Sequence, residues 1–309
     1  MARNEAPSAR TWRGSIMPQS TIGFVGLGLM GAGFTKRLVA TGHRVVGFDV
    51  VREKVEEARR WGVESAASPA DVVARSELVL TCLTTTKNLE EVVEGEGGVM
   101  GAGKLDGKVL VDHSTADIDT VKRLAGVLVD KAGMAFVDAP VSGGPGAAET
   151  GTLAIMAGGS AEAMAKVAPL MAHLGRFTHM GGVGAGQATK LVNQALVLTN
   201  YCVIAEALRI AEAYGIDAAK VPEALAQGHA GSNLLPVLFE RMIARDFAPR
   251  GYARQVLKDL EMLNDAAKTK HLPLPMAGQA LTLFRLLNAQ GKSELDGAAV
   301  LTLWPDQPE

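Results

Sequence analysis

The residue whose placement most invites chemistry is Lys190, in the run Gly184-Ala185-Gly186-Gln187-Ala188-Thr189-Lys190-Leu191-Val192-Asn193-Gln194. Two glycines precede a long helical pattern, which puts the lysine in the helix's first turn. A cation is disfavoured there by the helix dipole, so Lys190 should carry a lowered pKa or have a partner. A lysine with a lowered pKa can transfer a proton near neutral pH. Asn193 at i+3 and Gln194 at i+4 share its face, so both amides can reach a ligand that Lys190 touches. A lysine that snorkels to the surface would give the same sequence, and the residues alone leave both readings open.

A second set of residues suits an anion. Gly26-Leu27-Gly28-Leu29-Met30-Gly31 follows a β-rich run and opens a helical one. In that context the first glycine permits a tight turn and the second lets backbone approach a pyrophosphate. The third lets helix and strand pack closely, and the helix N-terminus attracts the negative charge. Asp49 ends the next β-rich run, 18 residues beyond Gly31. A carboxylate there accepts hydrogen bonds from both ribose hydroxyls and repels a 2′-phosphate, which favours NAD over NADP. Arg44 and Arg52 lie near the same run, and an arginine turned inward would meet a phosphate, so NADP stays in view.

A third set, Asp138-Ala139-Pro140-Val141-Ser142-Gly143-Gly144, also follows a β-rich run. A serine before two glycines exposes a hydroxyl and backbone N–H groups, a geometry suited to holding a carboxylate. A plain turn would read the same way.

The elements that must position these groups follow from the patterning. Short β-rich runs at 21–25, 44–49, 78–83, 108–112, 135–138 and 153–157 alternate with helical segments, as in a mostly parallel sheet with crossover helices. Ligands of such doubly wound sheets bind beyond the carboxyl ends of the strands. From 187 to 214 there is no Gly or Pro, which predicts one helix of roughly 40 Å. Its apolar residues, among them Leu191, Val192, Leu196, Leu198, Val203, Ile204, Leu208 and Ile210, surround most of the circumference, so burial against more than one neighbour is expected. Beyond it the chain reads as helices separated by Gly and Pro. The expected architecture is an α/β Rossmann domain over residues 21–183, joined by a long helix to an all-α domain over 184–309.

Composition narrows the partners. The 309 residues include 31 basic and 33 acidic side chains, for a formal charge of -2, which gives no footprint for nucleic acid or for an anionic membrane. Cys82 and Cys202 are far apart and fit reduced thiols in a cytoplasm. The six histidines are scattered singly, so no metal site is expected. Residues 1–20 hold three arginines and little periodicity, and read as a disordered extension without the apolar core of a secretory signal. No apolar run reaches the ~18 positions of a membrane span unbroken.

Together these motifs resemble the β-hydroxyacid dehydrogenase family, which includes 3-hydroxyisobutyrate dehydrogenase and tartronate semialdehyde (2-hydroxy-3-oxopropionate) reductase. The resemblance extends over about residues 20 to 304. It implies hydride transfer between a nicotinamide dinucleotide and a small β-hydroxy acid or its semialdehyde. It also implies dinucleotide contacts at Gly26, Gly28, Leu29, Met30 and Gly31, with Asp49 on the adenosine ribose. Ser142, Gly143 and Gly144 match the family's substrate-carboxylate site, Lys190 its catalytic lysine and Asn193 its substrate-positioning asparagine. Lys258 matches a lysine that reaches the cofactor from the helical domain, and Thr115 a contact near the nicotinamide. Where the family often has Leu-Pro, this chain reads Leu83-Thr84-Thr85. Threonine should loosen that loop and supply hydroxyls, and it puts cofactor contacts at Leu83 and Thr84 in question. The turn His229-Ala230-Gly231-Ser232-Asn233 resembles the loop that closes the family's substrate pocket. Its polarity places tartronate semialdehyde, reduced to glycerate, ahead of 3-hydroxyisobutyrate. An imine reductase on this architecture usually replaces the lysine, and a non-catalytic scaffold would be expected to have lost it. A homodimer or homotetramer in the cytoplasm completes the expectation.

Overall fold

The protein is described by a computed structural model covering residues 20–103 and 105–305. All but the last residue of the 1–20 extension lies outside the described residues. Nine strands form one sheet: β1 (Thr21–Val25), β2 (Arg44–Phe48), β3 (Val63–Ser65), β4 (Leu78–Thr81), β5 (Val109–Asp112), β6 (Ala135–Asp138), β7 (Val141–Ser142), β8 (Leu153–Gly158) and β9 (Gly175–Gly181). The first six pair in parallel in the order β3-β2-β1-β4-β5-β6. Chain order reverses at β1, whose neighbours are β2 and β4, and this is where doubly wound sheets bind their ligands.

β8 then runs antiparallel to one bent strand formed by β6 and β7. Asp138 faces Gly158, Val141 faces Ile155 and Ser142 faces Ala154, a single unbroken register across Pro140. β9 adds in parallel to the other edge of β8. Three strands escaped the sequence pattern for identifiable reasons. β3 and β7 are too short to show alternation, and β9 is a polar edge strand with glycine at both ends.

Both faces of the sheet are covered, and the period of two decides which core each residue joins. Ile22, Phe24, Leu78, Leu80, Val109 and Val111 enter one cluster, where Phe34 and Leu38 of the helix Leu29–Ala40 meet them. Val25, Val46, Val79 and Leu110 enter the opposite one. A third core belongs to the helical half, where Leu198, Ile204 and Leu208 pack against Phe239, Leu260, Phe284 and Val300.

The helix Ala185–Ala213 links the sheet to this third core. As expected it is buried against more than one neighbour, but not all round: Val192, Leu196, Val203 and Ile210 are between 48% and 63% exposed and form a stripe along one side. The helices Leu234–Ile243, Ala253–Thr269 and Pro275–Ala289 pack on its other sides, and no fourth neighbour covers the stripe among the described residues. Contrary to the sequence reading, this one helix is long and apolar enough to cross a membrane by length and composition. Its buried residues Lys190, Gln194 and Arg209 nevertheless bond to the rest of the chain, and its apolar side supplies the third core.

Candidate active site

The glycine turn after β1 is built as its sequence predicted, and the space around each glycine shows why. Gly26 adopts φ +97°, and a Cβ on it would lie 2.4 Å from the carbonyl oxygen of Cys82 at the end of β4. A Cβ on Gly31 would lie 1.9 Å from the Gly26 carbonyl oxygen, so only glycine lets the helix start this close to the strand. Gly28, by contrast, borders space in which the nearest group to an added Cβ would be the Lys54 ammonium, 3.7 Å away. Gly28 also has no side chain to cap the helix that begins at Leu29, so amides of the first turn remain available to an anion. Leu29 is exposed, and Met30 packs partly on the core beneath.

Asp49 closes this cradle. Its Oδ2 accepts from Leu27 N at 2.7 Å and its Oδ1 from Val51 N at 2.8 Å. The carboxylate is thereby fixed to the glycine turn, and each oxygen keeps a lone pair for a ribose hydroxyl. These features fit a dinucleotide. Arg44 does not belong with them. It begins β2 at the opposite end from Asp49, roughly 16 Å away at the usual rise per strand residue, and it is tied to Glu64 at 2.5 Å. Arg52 is exposed at the start of the helix Arg52–Arg59.

The other candidate residues converge where the long helix meets the strand ends. Lys190 is only 7% exposed, and its Nζ donates to the Val141 carbonyl oxygen at 2.8 Å. It does not snorkel. Because the helix starts at Ala185, Lys190 sits in the second turn, beyond the reach of the terminal dipole. Burial is instead the main cause that lowers its pKa; Lys258 adds to this, while Asp259 and Cys82 oppose it.

The Val141–Lys190 bond brings the lysine beside Ser142, Gly143 and Gly144. Both glycines have positive φ, +130° and +75°, and a helix follows from Gly144 to Thr150. Space around Gly144 is open, with nothing within 4 Å of a would-be Cβ. This is a turn that presents its backbone rather than packing it away.

Asn193 and Gln194 do not both face a ligand. Gln194 is buried and committed: its Nε2 donates to Asp259 Oδ2 at 2.5 Å, and its Oε1 accepts from Asn193 Nδ2 at 2.8 Å. Only the Asn193 carbonyl oxygen is left without a partner among the described residues. Lys258 pairs with Asp259 at 3.0 Å and reaches across to the sheet, donating to the carbonyl oxygens of Thr84 at 3.1 Å and Thr115 at 3.2 Å. Lys258, Thr84 and Thr115, far apart in sequence, thus meet. Asp259, the carboxylate that joins this group to Gln194, was passed over in the sequence; its position next to Lys258 was the available signal.

The threonine-rich loop is tighter than its composition suggested. Thr85 caps the helix Thr86–Glu94 by accepting from Asn88 N, Thr86 accepts from Asp117 N, and Leu83 N donates to Ser114 Oγ. The hydroxyls hold the loop to its neighbours, offsetting the missing proline. The turn 229–233 is exposed and its hydrogen bonds are local, with Ser232 Oγ accepting from Leu235 N. No hydrogen bond among the described residues joins it to Lys190 or Ser142.

Beneath the site lie buried groups that the reaction geometry rests on. Asp112 accepts from Thr81 and Ser114, and burial raises its pKa. His113 donates from Nδ1 to Ala139 O, 2.7 Å away, stacks on Phe34 and is pushed down to about 4 by burial. The Cys82 thiol is pushed up to about 12, mainly by burial, and stays protonated.

Comparison with known proteins agrees with this architecture. Residues 21–184 match the family model of the NAD binding domain of 6-phosphogluconate dehydrogenase. Residues 184–304 match that described as NAD-binding of NADP-dependent 3-hydroxyisobutyrate dehydrogenase. The chain is similar to 2-hydroxy-3-oxopropionate reductase of Escherichia coli (strain K12), 36% identical over 91% of this chain and 95% of that protein. It is also similar to 2-(hydroxymethyl)glutarate dehydrogenase of Eubacterium barkeri, 35% identical over 92% and 94%. Among solved structures, 3-hydroxyisobutyrate dehydrogenase from Salmonella typhimurium superposes with a TM-score of 0.83 at 25% identity, covering 92% of this chain and all of that one. With its dinucleotide cradle, its strand-end serine and glycines and its long helix all in place, the chain belongs to the β-hydroxyacid dehydrogenase family of NAD(P)-dependent oxidoreductases.

Proposed function

We propose that the chain interconverts tartronate semialdehyde and glycerate, with Lys190 as the proton donor and acceptor. The observation that carries this reading is the buried Lys190 ammonium, held by Val141 O beside the open turn at Ser142–Gly144. Gly26, Gly28, Leu29, Met30, Gly31 and Asp49 hold the dinucleotide, with Leu83, Thr84, Thr115 and Lys258 toward its nicotinamide end. The nicotinamide, when bound, supplies or accepts the hydride.

The chain's own residues do the rest. Ser142, Gly143 and Gly144 hold the substrate carboxylate through the hydroxyl and backbone N–H groups. Asn193 orients the reacting oxygen, so that the carbonyl carbon meets the hydride in a fixed geometry. In the reductive direction Lys190 gives its proton to the carbonyl oxygen and is reprotonated from solvent; in the oxidative direction it takes the hydroxyl proton. Proton transfer of this kind is worth about 100-fold to 10,000-fold, and the ammonium also stabilises the developing alkoxide.

The preference for tartronate semialdehyde rests on the similarity to the Escherichia coli reductase. A pocket that bonds the extra hydroxyl would reject a methyl analogue, whose arrival leaves that polar group unpaired. NAD is preferred to NADP, because Asp49 faces the ribose position and Arg44 is engaged elsewhere. The reading further divides the chain into a dinucleotide domain over 21–183 and a helical domain over 184–309. It makes the protein a cytoplasmic homodimer or homotetramer without nucleic-acid or membrane partners. The exposed stripe of Val192, Leu196, Val203 and Ile210 supports self-association.

The test is turnover of NADH and NADPH with tartronate, methylmalonate and succinate semialdehydes. Fastest turnover of tartronate semialdehyde with NADH is expected. Faster turnover of methylmalonate semialdehyde would overturn the substrate assignment, and tight cofactor binding without turnover of any would overturn the activity.

A further inference from the structure

The helix that carries Lys190 has no capping side chain of its own. Its N-cap residue is Gly184, at φ +92°. The cap comes instead from the sheet: Asp138, the last residue of β6, accepts from Gly184 N through Oδ1 at 2.7 Å and from Gln187 N through Oδ2 at 2.8 Å. Two of the amides that every helix start leaves without partners are thereby satisfied by a residue 46 positions earlier.

The first turn is held on a second side as well. Gln187, which is 1% exposed, donates from Nε2 to Ser114 O at 2.8 Å and accepts at Oε1 from Ala116 N at 3.1 Å, both just beyond β5. Gly186 lets the helix backbone approach the sheet, since a Cβ there would lie 2.5 Å from the carbonyl oxygens of both Asp138 and Met156.

These anchors stand in a definite relation to the reacting group. Lys190 is one turn along the helix from Gln187, and its acceptor Val141 is three residues along the strand from Asp138. The strand from Asp138 to Val141 and the helix from Gln187 to Lys190 therefore form two sides of a frame, closed at one end by the carboxylate and at the other by the lysine.

We propose that Asp138 is a positioning residue for proton transfer, pinning the first turn of the long helix to the end of β6 so that Lys190 stands beside Ser142, with Gln187 holding the same turn to β5. The proposal rests on the reading of Lys190 as the proton donor. Asp138 touches no reacting atom. Its effect is geometric, and small displacements at a reacting centre are costly: roughly 100-fold for about 1 Å.

Several charged or titratable groups surround this anchor. Asp112 on β5 faces it and is held by Thr81 and Ser114. His113 meets Ala139 O, the Lys122 side chain lies against Gly184, and Lys190 closes the frame. Burial, with Asp112 adding to it, raises the Asp138 carboxyl to about 6 against the pull of its backbone donors. A protonated Asp138 presents a hydroxyl where one of the two amides needs an acceptor, so the frame loosens as pH falls through that value.

The experiment compares Asp138→Asn, Gln187→Met and Lys190→Ala, using NADH and tartronate semialdehyde across pH, with NADH affinity and Tm measured alongside. Asp138→Asn keeps the shape but replaces one acceptor by a donor. It is expected to lower kcat about 10-fold to 100-fold, to leave NADH affinity within about threefold, since the cradle at Gly26–Asp49 is untouched, and to lack the wild type's fall in kcat below about pH 6. Gln187→Met should lower kcat less, also without loss of NADH affinity. Wild-type kcat in a folded Asp138→Asn would overturn the proposal, and so would kcat and NADH affinity falling together. If Asp138→Asn does not fold, Gln187→Met decides: lowered kcat supports the frame and unchanged kcat overturns it. Near-normal turnover by Lys190→Ala would overturn the underlying reading of the lysine, whatever the two anchor variants do.

Discussion

The two halves of the site are built by different means. The dinucleotide cradle is made of backbone: Gly26, Gly28 and Gly31 within one turn, closed by Asp49 on backbone amides. The reacting end is made of side chains from two stretches that reach the backbone of three others, with Lys190 on Val141 O, Gln194 on Asp259, and Lys258 on Thr84 O and Thr115 O. A backbone cradle depends on space and dihedral angles, so single added atoms should break it outright. A side-chain cluster depends on charge and burial, so its variants should shift pH dependence and rate while leaving the fold intact.

The largest effect expected from this contrast is at Gly31. Gly31→Ala places a Cβ 1.9 Å from the Gly26 carbonyl oxygen, so the helix must move off the strand. NADH affinity should fall by at least about 100-fold, at a cost to stability of about 2 kcal/mol or more; fluorescence titration and a thermal melt read both. Wild-type affinity would mean that the cradle tolerates side chains and that the contrast is false.

At Asp49 the effect is smaller, because a charge rather than backbone space is removed. Asp49→Ser relieves repulsion of a 2′-phosphate and should raise the ratio of kcat/KM for NADPH over NADH about 10-fold. NADH affinity itself should drop, since Leu27 N and Val51 N lose their carboxylate acceptor. An unchanged ratio would show that Asp49 does not face the ribose.

Asp259→Asn probes the reacting end. Asp259 raises the Lys190 pKa against the stronger effect of burial. Its neutralisation should therefore lower that pKa further. Reduction needs protonated Lys190, so the alkaline fall in kcat should move to lower pH. A limb that stays in place would disconnect Asp259 from the lysine.

An effect on stability alone, with none expected on turnover, lies beneath both regions at His113, which stacks on Phe34 of the cradle's helix and meets Ala139 O of the reacting end's strand. Its folded pKa, about 4, is below the ordinary 6.5. The unfolded chain therefore takes up a proton first as pH falls, and the wild type loses stability from pH 6.5 down toward 4. His113→Met removes this loss, so its stability relative to wild type should rise by about 1.4 kcal/mol per pH unit across that window. Urea melts at pH 7 and pH 5 would show it, and a pH-independent difference would contradict it.

The same contrast explains what could be read from the sequence. The glycine turn and Asp49 were legible residue by residue, because each role depends on neighbours a few positions away. The six strands other than β3, β7 and β9 were legible for the same reason, each showing its own apolar run. Lys190 was visible only as an oddity; Asn193 was joined to it by helical spacing, whereas Ser142 and Lys258 were joined to it by family resemblance. Gln194 was misjudged, since nothing near it in sequence announces Asp259. Arg44 was misjudged because sequence proximity to Asp49 hides the length of the strand between them. The open stripe on the long helix was equally hidden, as composition does not say how many neighbours a helix finds.

The account stands most directly on Lys190, and the decisive measurement is single-turnover oxidation of bound NADH by Lys190→Ala with tartronate semialdehyde. A rate lower by about 100-fold to 10,000-fold, with NADH bound as tightly as by the wild type, is the predicted result. Hydride transfer at near wild-type rate would contradict it and leave the buried lysine with a structural role.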